Sequence, residues 1–464
     1  MTLLDILALL LTLSAVFGTI NHHVLKLPQS IGLLAIALIA SIGILAIDQI
    51  WPHLNIAEAA RAPLEGIDFH EALLNGFLSA LLFAGAIHLD LSALREQRWP
   101  ILAMATIGVL ISTAVVGGAF YAVTLAVGAS IPFIWCLVFG ALISPTDPVA
   151  VLGLFKTVKV PQSIKTKIAG ESLFNDGVAV VVFLAVVAVA TGGGGGHGEG
   201  EVTALDIARL FLVEAVGGAL LGIVVGYVCY LMMKSLEEPI LEVMMTLALV
   251  TAVYAIALRL HVSGPIAVVI AGLLIGNRGA RLAMGPETRR HVFDFWEIVD
   301  EILNAVLFLL IGLEVLVLGA EFQNWGLALA AIPIVLAARW ISVAVPITVL
   351  RLRTQFSAGA IRILTWGGLR GGISVALALS LANGPYKPAI LTATYLVTVF
   401  SIIVQGLTMS RLVRHVLEPG AVPAKAGPAR PEAARDAGTS PVAPRQRQKG
   451  AAGGRKKKRG RRRR

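Results

Sequence analysis

Charged residues are scarce in this sequence. Asp, Glu, Lys and Arg make up 14% of its 464 residues, whereas about a quarter is usual in a soluble domain. Hydrophobic residues make up 57%, and apolar runs of about 20 residues, long enough for a helix to cross a bilayer, recur along the chain. A β-barrel would show short alternating segments instead. The composition therefore excludes a soluble globular protein and predicts an all-α polytopic membrane protein.

Cysteine is scarce as well. Cys136 and Cys229 are the only two, and both lie in apolar runs, where they are expected to be packing residues. They predict no disulfide framework, and the histidines have no ligand spacing that would predict a transition-metal site. A membrane-embedded enzyme would need a zinc-binding histidine pair, a Ser–base dyad or two aspartates placed for acid–base catalysis. We therefore expect neither an enzyme nor a resident cofactor.

The apolar runs predict about 13 transmembrane spans. If the N-terminus is outside, the loops that face the cytoplasm hold most of the Lys and Arg residues, as the positive-inside rule requires. The C-terminus then lies in the cytoplasm, and the two cysteines and the lack of a targeting signal suit a bacterial inner membrane. The predicted spans are residues 2–20, 29–50, 70–89, 101–127, 132–155, 167–190, 204–233, 239–260, 264–276, 293–318, 325–350, 358–381 and 389–412.

The excess positive charge lies at the C-terminus. Residues 421–464 hold fifteen Lys and Arg but two Asp and Glu, and they have no periodic apolar residues. They predict a disordered, basic cytoplasmic tail. Such a tail suits binding to anionic lipid or, with less support, to nucleic acid, but a solvated tail that fixes the topology is the favoured interpretation. Residues 1–420 are then one transmembrane domain.

The predicted spans divide into six, one and six. Because one linker helix at about 204–233 reverses the second set, residues 1–191 and 238–414 are predicted to be inverted repeats. Pro145 and Pro148 interrupt the fifth span, since proline removes a backbone donor and clashes with the preceding turn. Four glycines around Arg370 weaken the twelfth span, which is the matching helix of the second repeat. Two interrupted helices at matching positions are typical of transporters.

Polar groups gather around the first interruption. Unwound backbone at membrane depth is tolerated where it lines a cavity or is buried in protein, and its carbonyls can bind a cation together with hard oxygen ligands. Thr146 and Asp147 lie in the interruption, and Ser172 and Asp176 share one face of the next span, four residues apart. These four residues are the predicted cation site, and Asp176 is predicted to bind a proton and a metal cation in turn. Paired catalytic aspartates are the less favoured interpretation of Asp147 and Asp176.

Neighbouring polar residues are predicted to support the site. Glu171 and Asn175 are also four residues apart, one position round the helix. Arg370 is the expected partner of Glu171, because a buried arginine needs a carboxylate. Asn175 is expected to be a hydrogen-bonding strut to the broken helices. Arg339 is the one other basic residue at membrane depth that could neutralise Asp176.

Further polar residues lie on the later spans. Three acidic residues fall at a predicted cytoplasmic mouth: Asp294, Glu297 and Asp300. They could raise the local cation concentration there, although a solvated helix end is the favoured interpretation. Others are expected at helix ends or helix interfaces and are not assigned to the site: Glu242, Glu301, Asn304 and Glu314.

Three motifs resemble a known family. Thr146-Asp147 in a proline-broken helix, Gly-Glu-Ser-Leu-Phe-Asn-Asp-Gly from Gly170, and Gly-Gly-Leu-Arg-Gly-Gly from Gly367 are similar to electroneutral sodium/proton antiporters of the monovalent cation:proton antiporter 1 family, prokaryotic branch. The resemblance covers residues 1–415. It implies 13 helices, with two crossed broken helices in a six-helix core that moves like an elevator against a dimerisation domain, and hence a homodimer.

The resemblance also implies roles for the site. Asp176 would bind the Na⁺ and the proton, with Thr146, Asp147 and Ser172 helping to coordinate the ion. Asn175 stands where electrogenic relatives carry a second aspartate, which implies one cation exchanged for one proton, in sodium and pH homeostasis. Glu171 and Arg370 would form the salt bridge of the core.

One position departs from the pattern. Some family members have an acid after Leu-Leu-Phe in the third span, whereas this chain has Ala84. One possible ligand is absent, so a K⁺/H⁺ antiporter of the same fold remains the alternative to exchange of Na⁺ or Li⁺. A cation channel is less favoured, because a channel does not need two broken helices around one titratable carboxylate.

Overall fold

The computed structural model describes residues 3–65, 76–155, 158, 160–192, 204–318, 324–352, 354, 356–357 and 359–417. Within these residues the chain forms twenty α-helices, several of which continue into a π-helical turn. The first ten are α1 (Leu3–Ile20), α2 (Gln29–Ile50), α3 (Ile56–Glu65), α4 (Leu78–Ile87), α5 (Leu91–Glu96), α6 (Arg98–Ala103), α7 (Val109–Val127), α8 (Phe133–Leu142), α9 (Val149–Leu154) and α10 (Gln162–Ala190). The others are α11 (Ala204–Lys234), α12 (Pro239–Leu260), α13 (Gly264–Leu274), α14 (Ala280–Leu282), α15 (Pro286–Leu318), α16 (Trp325–Leu350), α17 (Ala360–Trp366), α18 (Gly372–Leu379), α19 (Lys387–Phe400) and α20 (Gly406–Leu417).

The helices are long and apolar. Nine helical segments of the described chain have the length and composition to cross a membrane, and large apolar side chains on many of them face outward, as a lipid-facing surface requires. The prediction of an all-α membrane protein is therefore confirmed. Residues 70–75 of the predicted third span and the predicted basic tail, 421–464, lie outside the described residues.

Two helices are interrupted where the sequence predicts it. Helix α8 ends at Leu142, and α9 begins at Val149 directly after Pro148. Helix α17 ends at Trp366, and α18 begins at Gly372. Six residues lie in the first interruption and five in the second. The first of each, Ile143 and Gly367, still donates to the carbonyl four residues before it, but backbone groups farther into the interruptions need other partners.

Helix α10 lies between two apolar cores. In one core Phe120 and Phe139 pack with ring centroids 4.4 Å apart, and Phe183 of α10 joins them. In the other, Phe83 packs on the indole of Trp296 at 4.7 Å, and Leu173 of α10 joins that core. The polar residues of α10 are therefore held at the centre of the molecule, beside the first interruption.

Candidate cation-binding site

The two interruptions are joined to each other. The backbone N–H of Asp147 donates to the carbonyl of Leu369 at 2.8 Å, which is an isolated antiparallel bridge. The N–H of Arg370 donates to Oγ of Ser401 at 2.9 Å. These bonds satisfy backbone groups that the breaks release, and an unsatisfied group would be costly at this depth.

Thr146 connects the first interruption to α10. Its hydroxyl lies 3.0 Å from Oγ of Ser172 and accepts a hydrogen bond of 2.8 Å from Nδ2 of Asn175. Oδ1 of Asn175 in turn accepts from the backbone N–H of Thr146 at 3.5 Å. All three side chains are buried. Asn175 thus lies where the predicted strut requires it, bonded to the interrupted segment through both ends of its amide.

The two aspartates have different surroundings. Oδ1 of Asp147 accepts the N–H of Val149, the first residue of α9, at 2.8 Å, as in an Asx turn. Its Oδ2 lies against Gly371, where a Cβ atom would run into the carboxylate. Asp176 is 7% exposed, and among the described residues none donates a hydrogen bond to its carboxylate. A buried carboxylate without donors is costly as an anion, and it is stabilised by a bound cation or a proton.

Both aspartates line one cavity. Its volume is about 320 Å³, and Thr146 lines it beside them. Ser172 and Asn175 do not line it, because they lie behind Thr146. The sequence therefore brings four predicted ligands together, but three of them reach the cavity.

Helix α15 also lines this cavity. The sequence alone does not assign its polar residues to the site. Asp300, Glu301 and Asn304 contribute to the wall. Asp300 and Asn304 are four residues apart and share a helix face. This spacing was the one sequence feature that could have indicated a shared site. Their approach to the site depends on the packing of α15 against α2 and α4, which no local pattern gives.

The predicted salt bridge between Glu171 and Arg370 is wrong. Glu171 pairs instead with Arg339 of α16: Nη1 donates to Oε1, and Nη2 donates to Oε2 at 3.1 Å and to the carbonyl of Leu364 at 3.0 Å. Both side chains are buried. A Cβ atom at Gly368 would run into the guanidinium of Arg339, so this glycine permits the approach.

Arg370 binds backbone. Its Nη1 donates to the carbonyl of Ser144 and to that of Pro145, the latter at 3.0 Å. These carbonyls follow the C-terminal end of α8, where the last carbonyls lack intrahelical donors and the helix dipole is negative. The partner of this buried arginine is therefore the other interrupted helix rather than a carboxylate.

Residues 11–415 match the sequence-family model for the transmembrane part of sodium/hydrogen exchangers. The chain belongs to the sodium/hydrogen exchanger family. As a member of that family it is a membrane transporter that exchanges sodium ions for protons, and it is not an enzyme.

Individual relatives agree with this membership. The exchanger is 47% identical to the Na⁺/H⁺ antiporter NhaP of Pseudomonas aeruginosa over 419 residues, which cover 89% of this chain and 97% of the relative. It is 36% identical to the Na⁺/H⁺ antiporter NhaH of Halobacillus dabanensis over 84% of this chain and 93% of the relative. Its fold is similar to the sodium proton antiporter MjNhaP1 of Methanocaldococcus jannaschii, with a TM-score of 0.67 and 19% identity over 89% of this chain and 98% of the other.

Proposed function

We propose that the exchanger moves one Na⁺ or Li⁺ against one proton, and that Asp176 carries each of them in turn. The observation that supports this is its buried carboxylate, which lines the cavity without a hydrogen-bond donor among the described residues. With a proton or with a monovalent cation the site has the same net charge. The empty carboxylate is costly to move through a low-dielectric path, so return without a passenger is suppressed and exchange is obligatory.

Asp147 and Thr146 are the proposed further ligands. Oδ2 of Asp147 and the hydroxyl and carbonyl of Thr146 are hard oxygen donors of the kind that alkali cations accept. Ser172 acts through the Thr146 hydroxyl, 3.0 Å away, and becomes a direct ligand only if that contact opens. Four residues hold the two interruptions in place: Asn175, Arg370, and the pair Glu171–Arg339.

The proposed architecture is that of 13 spans. Two inverted six-helix repeats, about 1–191 and 238–414, are joined by the linker helix at about 204–233 within a transmembrane domain of residues 1–420. The N-terminus faces outward and the C-terminus the cytoplasm of a bacterial cell, since the basic loops then lie inside. We include in the proposal a homodimer and a basic tail, 421–464, that can bind anionic lipid.

Ion exchange in liposomes tests the proposal. The purified protein is reconstituted with an internal pH dye, a proton gradient is imposed, and Na⁺, Li⁺ or K⁺ is added with the membrane potential clamped or free. Proton movement with Na⁺ or Li⁺ that does not depend on the potential supports one-for-one exchange. An equal response to K⁺ would show that the exchanger accepts K⁺ as well, as in the K⁺/H⁺ alternative, and exchange that depends on the potential would contradict the one-for-one ratio.

The variant Asp176→Asn tests the residue assignment. The change removes the charge and keeps the shape, so we expect exchange to be lost while the protein keeps its elution volume and thermal stability. Exchange at the wild-type rate in this variant would overturn the role proposed for Asp176.

A further inference from the structure

One helix outside the interrupted segments contributes polar groups to the ion cavity. Asp300 and Asn304 lie one turn apart on α15 and line the same cavity as Asp147 and Asp176. Asp300 is within electrostatic reach of His88 and, more weakly, of Asp147. The cavity is therefore bounded by carboxylates from two separate parts of the structure, the interrupted segment with α10 and the middle of α15.

The amide of Asn304 is oriented. It is 4% exposed, and its Nδ2 donates to the backbone carbonyl of Asp300 at 2.8 Å. Its oxygen, Oδ1, accepts no hydrogen bond from any residue in the described part of the chain. An amide oxygen without a donor, on a residue that lines a cavity, is free to bind a ligand there. A carbonyl-type oxygen next to a carboxylate is also what a hard monovalent cation binds.

Glu301 also lines the cavity, but two other acids on α15, Asp294 and Glu297, do not. Asp294 is exposed and pairs with Arg290, at 3.5 Å between Nε and Oδ2, and it does not line the cavity. Glu297 is exposed and does not line the cavity either. Asp300 is half-buried. Of the three acids predicted to mark a cytoplasmic mouth, Asp300 alone reaches the cavity, so its placement is more specific than a charged helix end.

We propose that Asp300 and Asn304 form a second half of the cation site, which holds Na⁺ on the side onto which the cavity opens. The proposal rests on the proposed exchange at Asp176 and extends it. We take α15 to stay in place while α10 and the two interruptions move with the ion, so that these two ligands belong to the loading state and are left behind when the ion crosses. They therefore set the apparent Na⁺ affinity from one side of the membrane, and they do not carry the ion.

Sided transport kinetics test this proposal. Exchange is measured in right-side-out and in inside-out vesicles for wild type, Asp300→Asn, Asn304→Ala and the charge-matched control Asp294→Asn. We expect Asp300→Asn to raise the apparent KM for Na⁺ about tenfold on the side of the cavity, as loss of about 1.4 kcal/mol of binding gives, with the maximal rate within about twofold. Asn304→Ala is expected to raise the same KM by a smaller factor, and Asp294→Asn to leave it unchanged.

Na⁺-dependent thermal stabilisation of the purified protein gives a second readout that does not require transport. We expect Asp300→Asn to shift the Na⁺ dependence of the melting temperature to higher concentration, while Asp294→Asn keeps that of wild type. If Asp300→Asn does not assemble, Asn304→Ser is assessed in the same way.

Three results would overturn the proposal. One is a KM shift of equal size in Asp300→Asn and Asp294→Asn that disappears at high ionic strength, because surface charge alone would explain it. The others are an equal shift from both sides of the membrane, and no shift at all. Failure of the proposed function would look different, since it would appear as exchange that persists in Asp176→Asn.

Discussion

The pairing of Glu171 with Arg339 predicts a specific pattern of energetic coupling. Both side chains are buried and joined by two charge-assisted hydrogen bonds. Removal of one partner, in Glu171→Gln or Arg339→Met, leaves the other charge buried without compensation and is expected to cost about 3–5 kcal/mol. The double variant removes both charges, so its cost should be smaller than the sum of the two. We expect a coupling energy of about 2–3 kcal/mol.

The same cycle with Arg370 gives the contrast. Its bound guanidinium nitrogen, Nη1, donates to backbone carbonyls and not to Glu171. Arg370→Met should therefore destabilise the protein through loss of those bonds, and its effect should add to that of Glu171→Gln with a coupling of about 1 kcal/mol or less. The exposed pair Arg290–Asp294 is the matched control, for which a coupling of about 0.2–1 kcal/mol is expected.

Reversible unfolding in mixed micelles provides the assay. Each variant is titrated with a denaturing detergent, and helical content is followed by circular dichroism to obtain the free energy of unfolding. The pairing described here is refuted if the large coupling appears between Glu171 and Arg370 and the small one between Glu171 and Arg339. Equal couplings would mean that the three groups act as one network.

Three further substitutions test the geometry around the interruptions. Gly371→Ala should lower the exchange rate at least about tenfold in vesicles, because its Cβ atom meets the Asp147 carboxylate, whereas Gly118→Ala, with open space around it, should not change the rate. Thr146→Val removes the acceptor of the Asn175 amide, so a loss of about 1–3 kcal/mol in unfolding free energy is expected in detergent titrations; wild-type stability would contradict this. Asp147→Asn keeps an oxygen to accept the N–H of Val149 but loses the charge, so the melting temperature should stay constant while the KM for Na⁺ rises; unchanged kinetics would leave Asp147 with a structural role alone.

The interruptions could be predicted because their causes are local. Proline removes a donor and clashes with the preceding turn, and two prolines three residues apart, Pro145 and Pro148, stand in the middle of an apolar run that otherwise favours a helix. Helix α16 stays continuous through Pro333 and Pro346, which are farther apart. The glycines around Arg370 act in the same local way. The polar face of α10 could also be predicted, because Ser172 and Asp176 are separated by the helical period.

The wall of the cavity on α15 could not be predicted in full, because it depends on packing. Asp300 and Asn304 have the helical spacing of one face, but so do many polar pairs near helix ends. Whether that face meets the site is decided by how α15 packs against α2 and α4. Asp294 and Asp300 are both aspartates on α15, and the sequence does not distinguish their roles. In the structure the first is exposed beside Arg290 and the second lines the cavity.

The partner of Arg370 follows from a local feature of the sequence, although its charge suggests a carboxylate instead. A helix N–H donates to the carbonyl four residues before it, so Pro148, which has no N–H, leaves the carbonyl of Ser144 without its donor. Arg370 donates to that carbonyl. An arginine has five donors and does not require a carboxylate when buried carbonyls are left unpaired. The residue that breaks the first helix thus creates the acceptor that the arginine of the second break fills, and this leaves Glu171 for Arg339.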